Sequence, residues 1–127
     1  SRGPGVARIV AIDDEDLIRM LLMHALQGQG HDVIVAADGD AGLTAVADAT
    51  PDLIITDLNM PGMSGWDVLA TLKAGTDTVA LPVIALSGNA SDEDRQKGAA
   101  AGFSEFVGKP LDMAQLLAEI AKVLGTE

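Results

Sequence analysis

Cysteine is missing from this 127-residue chain, which excludes disulfide staples and thiolate metal ligands. Tyrosine is missing as well. The aromatics are Trp66, Phe103 and Phe106, so the core must be built from Ala, Val, Ile, Leu and Met. No apolar run approaches the length a membrane span needs, and the expectation is a protein with neither spanning segment nor signal peptide. Positive charge is scarce: eight Lys and Arg against nineteen Asp and Glu give a formal net charge of −11. That balance argues against direct contact with nucleic acid or an anionic membrane and favours solubility. The cytoplasm is the expected compartment. The apolar share of 48% is too high for a disordered chain, and the length suits one domain with a full core.

The stretch from Asp52 to Gly62 organises the rest. An apolar run, Leu53 to Ile55, is too short for an ordinary helix and rich in β-branched residues, so it reads as a buried strand. Asp57 stands at its carboxyl end. Met60-Pro61-Gly62 then turns the chain, since Pro61 lacks a donor and Gly62 tolerates positive φ.

Other strands are expected at Arg8–Ile12, Asp32–Ala37, Leu81–Leu86 and Phe103–Val107. The first helix follows the acidic run Asp13 to Asp16 and ends near Gly28, with Ile18, Leu21, Leu22 and Ala25 spaced to face a core. The second covers Gly39–Asp48. The third runs from about Ser64 to near Gly75 and carries Trp66, Val68, Leu69 and Leu72. Ser91 or Asp92 can cap the fourth, which ends near Ala101; Asp112 caps the fifth, with Leu116, Leu117, Ile120 and Leu124 on one side. Strand then helix, five times over, with apolar strands, predicts a doubly wound α/β fold: a parallel sheet covered on both faces. Residues 1–6 read as a flexible lead-in, 7–125 as one domain and 126–127 as a tail.

The carboxyl ends of the strands collect the chemistry. The first supplies Asp13 and Asp14, the third Asp57, the fourth Ser87 and the fifth Lys109. In an open α/β sheet such ends converge on one edge. Two carboxylates about 5 Å apart repel by roughly 3 kcal/mol at an effective dielectric near 20. Three such pairs would approach a domain's whole stability, about 5–15 kcal/mol. Protons are retained there, or a cation is held. An oxygen-only set favours Mg²⁺, with Mn²⁺ as an alternative; no loop has the spacing of a calcium-binding EF-hand. A carboxylate beside a divalent cation and a lysine can attack a phosphoryl group.

These residues resemble the receiver domain of two-component response regulators, the chemotaxis-regulator-like family. The likeness spans about Ala7 to Leu124 and rests on Asp13-Asp14, Asp57 with Met60-Pro61-Gly62 and Gly65, Ser87, and Lys109-Pro110. It implies a flavodoxin-like (βα)5 fold with strand order 2-1-3-4-5. It implies that Asp57 accepts a phosphoryl group from a histidine kinase or histidine phosphotransfer protein. Asp14 would bind Mg²⁺ directly, Asp13 mostly through water, and Asn59 through its backbone carbonyl. Ser87 would be the switch hydroxyl and Lys109 the contact to phosphoryl oxygens. A downstream protein would be met through the fourth-helix/fifth-strand/fifth-helix face, in a signalling domain rather than a turnover enzyme. Phe106 stands where the family often has a switch tyrosine, and it can move inward but offers no hydroxyl. Asn59 and Asn89 flank the site and could orient a hydrolytic water.

Other readings exist for the same residues. Asp13 and Asp14 suit a helix start, and Asp38 before Gly39 suits a cap better than a metal ligand. Met20 and Met23 could serve a partner helix, although core packing or casual exposure accounts for them more simply. His24 should lie on the surface, and nothing is assigned to His31. A phosphatase of the haloacid-dehalogenase type also uses an aspartate on a parallel sheet, but its second aspartate is here Asn59 and a cap domain is lacking. A phosphate-independent adaptor is a further class. The chain reads either as a stand-alone regulator or as part of a longer protein such as a hybrid kinase.

Overall fold

A computed structural model describes residues 6–125. Five residues of the expected lead-in, 1–5, and the expected tail, 126–127, lie outside the described residues. The elements alternate: β1 (Arg8–Ile12), α1 (Asp16–Gly28), β2 (Asp32–Ala36), α2 (Gly39–Ala49), β3 (Leu53–Asp57), α3 (Gly65–Ala74), β4 (Val83–Ser87), α4 (Asp92–Ala101), β5 (Glu105–Gly108) and α5 (Met113–Leu124). The strands form one parallel sheet in the order β2-β1-β3-β4-β5. This is the (βα)5 topology expected from the sequence.

Strand periodicity divides the core in two. Val10, Ile12, Ile54, Val83 and Ala85 face α2 and α3, where they meet Val46, Val68, Leu69 and Leu72. Their neighbours Ile9, Ala11, Leu53, Ile55, Ile84 and Leu86 face the other way, onto Leu22 and Leu26 of α1 and Leu116 and Ile120 of α5. A sheet covered on both faces needs apolar residues at successive positions, and β3 and β4 are buried throughout. Each fully buried Leu or Ile contributes about 1.5–3 kcal/mol of transfer free energy.

Four helices start on side-chain caps. Asp38, Ser64, Ser91 and Asp112 accept from the N–H groups of Ala41, Asp67, Asp94 and Gln115, and Asp67 completes a capping box with Ser64. Asp38 is therefore the cap its sequence context suggested.

Two strand starts and one helix face differ from expectation, and β2, α2, β4 and β5 each end one residue from the expected position. β4 begins at Val83 rather than Leu81, because Pro82 has no N–H to donate; only its carbonyl joins, accepting from Ile54 at 3.0 Å. β5 begins at Glu105 rather than Phe103, whose N–H is spent on Gly98 O at 3.0 Å as α4 unwinds through Gly102 at φ +117°. Leu21 does not face the core. The buried stripe of α1 is Leu22 and Leu26 with Ile18 packed against it, four residues apart, which turns Leu17, Met20 and Leu21 to solvent.

Candidate functional site

β1 is followed in the sheet by β2 on one side and β3 on the other, so a crevice opens beyond the carboxyl ends of β1 and β3. Asp57 closes β3 at that crevice and Asp13 follows β1 into it. Asp57 is 3% exposed, and its Oδ1 accepts from the Asn59 N–H at 3.3 Å. The turn between them and α3 is fixed from below. Leu58 N–H donates to Leu86 O, Gly65 N–H donates to Leu58 O, and Gly62 takes φ +77°. A Cβ on Gly65 would stand 2.3 Å from the Asp57 carbonyl oxygen, so only glycine lets α3 start this close to the acid.

Asp13 is fully buried. Its N–H donates to Ala36 O at 3.1 Å and its Oδ1 accepts from Glu15 N–H at 2.9 Å. Its Oδ2 lies 2.9 Å from Lys109 Nζ, yet no aligned hydrogen bond satisfies it among the described residues. Asp14 is exposed at the rim. Asp13, Asp14 and Asp57 each bring one carboxylate oxygen into a group whose members all lie within 4.8 Å of one another. An underused buried oxygen and two more convergent carboxylates, without nitrogen or sulfur donors, fit a hard divalent cation.

Lys109 reaches the crevice from the β5–α5 loop, anchored by its N–H on Ser87 O at 2.7 Å. Its Nζ is 2.9 Å from Asp13 Oδ2, 2.9 Å from Glu15 Oε2 and 3.4 Å from Asp57 Oδ1. Burial alone would lower this ammonium's pKa. The close Asp13 ion pair, the hydrogen bond to Glu15 and the nearby Asp57 charge overturn that and raise it above the ordinary lysine range. Asp57 moves the other way for an acid: burial and then the Asp13 charge push it up to about 6, against the pull of Lys109 and the Asn59 N–H. At neutral pH it remains mostly a carboxylate, though a hindered one.

Ser87 ends β4 and is buried. Its hydroxyl closes its own loop, accepting from Asn89 N–H and donating to Asn89 O, both at 3.1 Å. With Asn59, Trp66 and Phe106 it lines a small cleft of about 130 Å³ beside the carboxylates. Phe106 is buried and points inward. The chain's only three aromatics meet here: the Trp66 and Phe103 rings are 5.3 Å apart edge to face, and Phe106 lies 6.4 Å from each. Lys97 Nζ sits 5.0 Å from the Trp66 ring centre, and Arg95 Nη1 donates to Phe106 O at 2.7 Å.

The carboxylates and the lysine thus converge as expected, with Ser87 one step away. Two contacts were missed. Glu15 was read only as part of an acidic run, and its bond to Lys109 joins residues 94 positions apart. His31, to which nothing was assigned, accepts the Ala7 N–H on Nδ1 at 3.0 Å; burial lowers its pKa, in keeping with a neutral ring. His24 is exposed, as expected.

A family model described as the response regulator receiver domain matches residues 9–121. The chain belongs to that family. It is a receiver domain of two-component response regulators, a phosphoacceptor signalling module. Among relatives, the DNA-binding response regulator MtrA of Mycolicibacterium smegmatis is 34% identical over 113 residues, covering 89% of this chain and 48% of MtrA. The transcriptional regulatory protein KdpE of Mycobacterium tuberculosis is 38% identical over 112 residues, covering 88% of this chain and 48% of KdpE. The receiver domain thus spans about half the length of the curated relatives it matches. The chemotaxis response regulator CheY4 of Vibrio cholerae superposes with a TM-score of 0.87 at 33% identity, covering 93% of this chain and 98% of that one. Among the described residues, no helix is long and apolar enough to cross a membrane.

Proposed function

We propose that Asp57 is the phosphoacceptor of this receiver domain. The observation that carries the reading is the meeting of a buried strand-end carboxylate with two further carboxylate oxygens and an ammonium 3.4 Å away. A carboxylate oxygen of Asp57 attacks the phosphorus of a phosphohistidine. The P–N bond breaks, its electron pair returns to the imidazole, and an acyl phosphate remains on Asp57. Lys109 neutralises charge on the transferred group from beside the nucleophile, and the buried setting strengthens that attraction. Asp13, Asp14 and Asp57, with the Asn59 backbone carbonyl, would hold Mg²⁺. When bound, the ion offsets negative charge on the phosphoryl oxygens.

Signal output follows from Ser87. Its hydroxyl, now satisfied by Asn89, is freed to donate to a phosphoryl oxygen, and the β4–α4 loop moves with it. Phe106 adjusts behind that loop, altering the α4/β5/α5 face offered to a downstream protein. The donor is a histidine kinase or histidine phosphotransfer protein. The domain promotes its own phosphorylation and dephosphorylation without being a turnover enzyme, and it works in the cytoplasm.

Beryllofluoride, a phosphoryl mimic, tests this when added with Mg²⁺. Amide signals of Ser87, Phe106 and the β4–α4 loop should shift in the wild type and stay fixed in Asp57→Asn. Shifts that persist in the variant would overturn the acceptor assignment.

A further inference from the structure

Lys109 has fewer protons to give than the carboxylates around it can accept. An ammonium carries three donors, and three acids crowd it. Asp13 and Glu15 both stand at 2.9 Å, and Asp57, the acid on which the charge will develop, is the most distant at 3.4 Å. The aligned hydrogen bond goes to Glu15 Oε2.

Glu15 differs from the other two in kind. Its side chain is 58% exposed, whereas those of Asp13 and Asp57 are buried. Its backbone is pinned, the N–H being bound by Asp13 Oδ1 at 2.9 Å. It occupies the N-cap of α1, yet its side chain makes no capping bond, unlike the caps of the other four helices. Glutamate is not among the side chains that favour an N-cap, and here its carboxylate is turned across the crevice onto Lys109.

We propose that Glu15 is a positioning residue that holds Lys109 off Asp57 in the unphosphorylated domain and competes with the phosphoryl group for it. The inference rests on Asp57 being the acceptor. An incoming phosphoryl group draws Lys109 away from Glu15, leaving the glutamate's negative charge at the mouth of the site. Phosphorylation is opposed by that separation, and the active population is lower than Asp13, Asp57 and Lys109 alone would set. Removing the Glu15 charge should strengthen the acyl-phosphate state by about two- to fivefold, the scale of an exposed ion pair.

The measurement is the beryllofluoride midpoint at fixed Mg²⁺, read by the fluorescence of Trp66, for wild type, Glu15→Gln, Lys109→Met and the double variant. Glu15→Gln should bind about two- to fivefold tighter at low salt, and the gain should shrink as NaCl screens the competition. In the Lys109→Met background the gain should vanish, since Glu15 acts through the ammonium. In metal-free protein, the ε-methylene NMR signals of Lys109 should move on Glu15→Gln, a readout independent of phosphoryl chemistry. Equal midpoints for wild type and Glu15→Gln, or a gain that survives loss of Lys109, would overturn the role of Glu15 while leaving the acceptor intact. Should Lys109→Met fail to fold, the salt dependence and the Lys109 signals decide alone: a salt-independent gain with unmoved signals rejects the proposal. Absence of mimic binding in the wild type would instead remove the acceptor reading itself.

Discussion

Asp57 carries two demands that oppose each other. To react it must be an unhindered carboxylate, yet the fold buries it beside Asp13, and that setting raises its pKa from 3.8 to about 6. The native state therefore binds this proton more tightly than the unfolded chain does. Its contribution to stability is fully present below about pH 4 and is lost as pH rises through about 6. Asn at this position carries no such dependence. In metal-free buffer Asp57→Asn should be more stable than wild type by about 1–3 kcal/mol at pH 7–8, with the gap closing towards pH 4. Denaturant unfolding across that range measures it. A gap that does not change with pH would mean that neither burial nor the Asp13 charge holds the Asp57 carboxyl above its ordinary range. The same competition makes divalent-cation affinity fall as pH drops through about 6, because proton and cation seek the same oxygens.

At the scale of elements, the β3–α3 junction sets where the nucleophile sits. Gly65→Ala would place a methyl group 2.3 Å from Asp57 O and 2.8 Å from Leu58 Cα, against backbone that cannot yield cheaply. It should cost at least about 1–3 kcal/mol, outweighing the better helix propensity of alanine. Gly28→Ala, where a Cβ meets nothing within 4 Å, is the control and should be neutral or stabilising by up to about 1 kcal/mol. Equal unfolding midpoints for the two variants would show that α3 can retreat from Asp57. The sequence announced these elements because period and punctuation agree locally: β3 is apolar and stops at Asp57, Gly62 turns, and Ser64 and Asp67 cap. It was silent where the deciding partner is distant. Gly98 trimmed β5 by taking the Phe103 N–H, and Leu21 lost its place because Ile18, Leu22 and Leu26 form the better stripe against the sheet, whereas the late start of β4 follows locally from the N–H that Pro82 lacks. The site was legible in the same degree. Strand ends located Asp13, Asp57 and Lys109, whereas the Glu15–Lys109 bond and the Ser87–Asn89 loop depend on side-chain directions that spacing does not specify.

For the whole molecule, a formal charge of −11 on 127 residues works against compactness. Part of that repulsion is diffuse. Asp40, Asp77, Asp92, Glu93 and others are exposed and spread over the surface, and any salt screens them over about 10 Å at 0.1 M. Another part is local: the Asp13, Asp14 and Asp57 oxygens within 4.8 Å of one another, two of the three residues buried where bulk salt screens poorly. The two parts predict different responses. NaCl should raise the unfolding midpoint gradually, whichever site residues are present. MgCl2 at matched ionic strength should add an increment of its own, about 2.7 kcal/mol when the free ion is at one hundred times its dissociation constant. Asp13→Asn should abolish the magnesium increment and leave the sodium response intact, since Lys109 keeps Glu15 and Asp57 as partners and the diffuse charge barely changes. Thermal unfolding of both proteins in the two salts separates the terms. A magnesium increment of full size in Asp13→Asn would place the stabilising cation elsewhere on this acidic surface and break the link between the crevice and the ion.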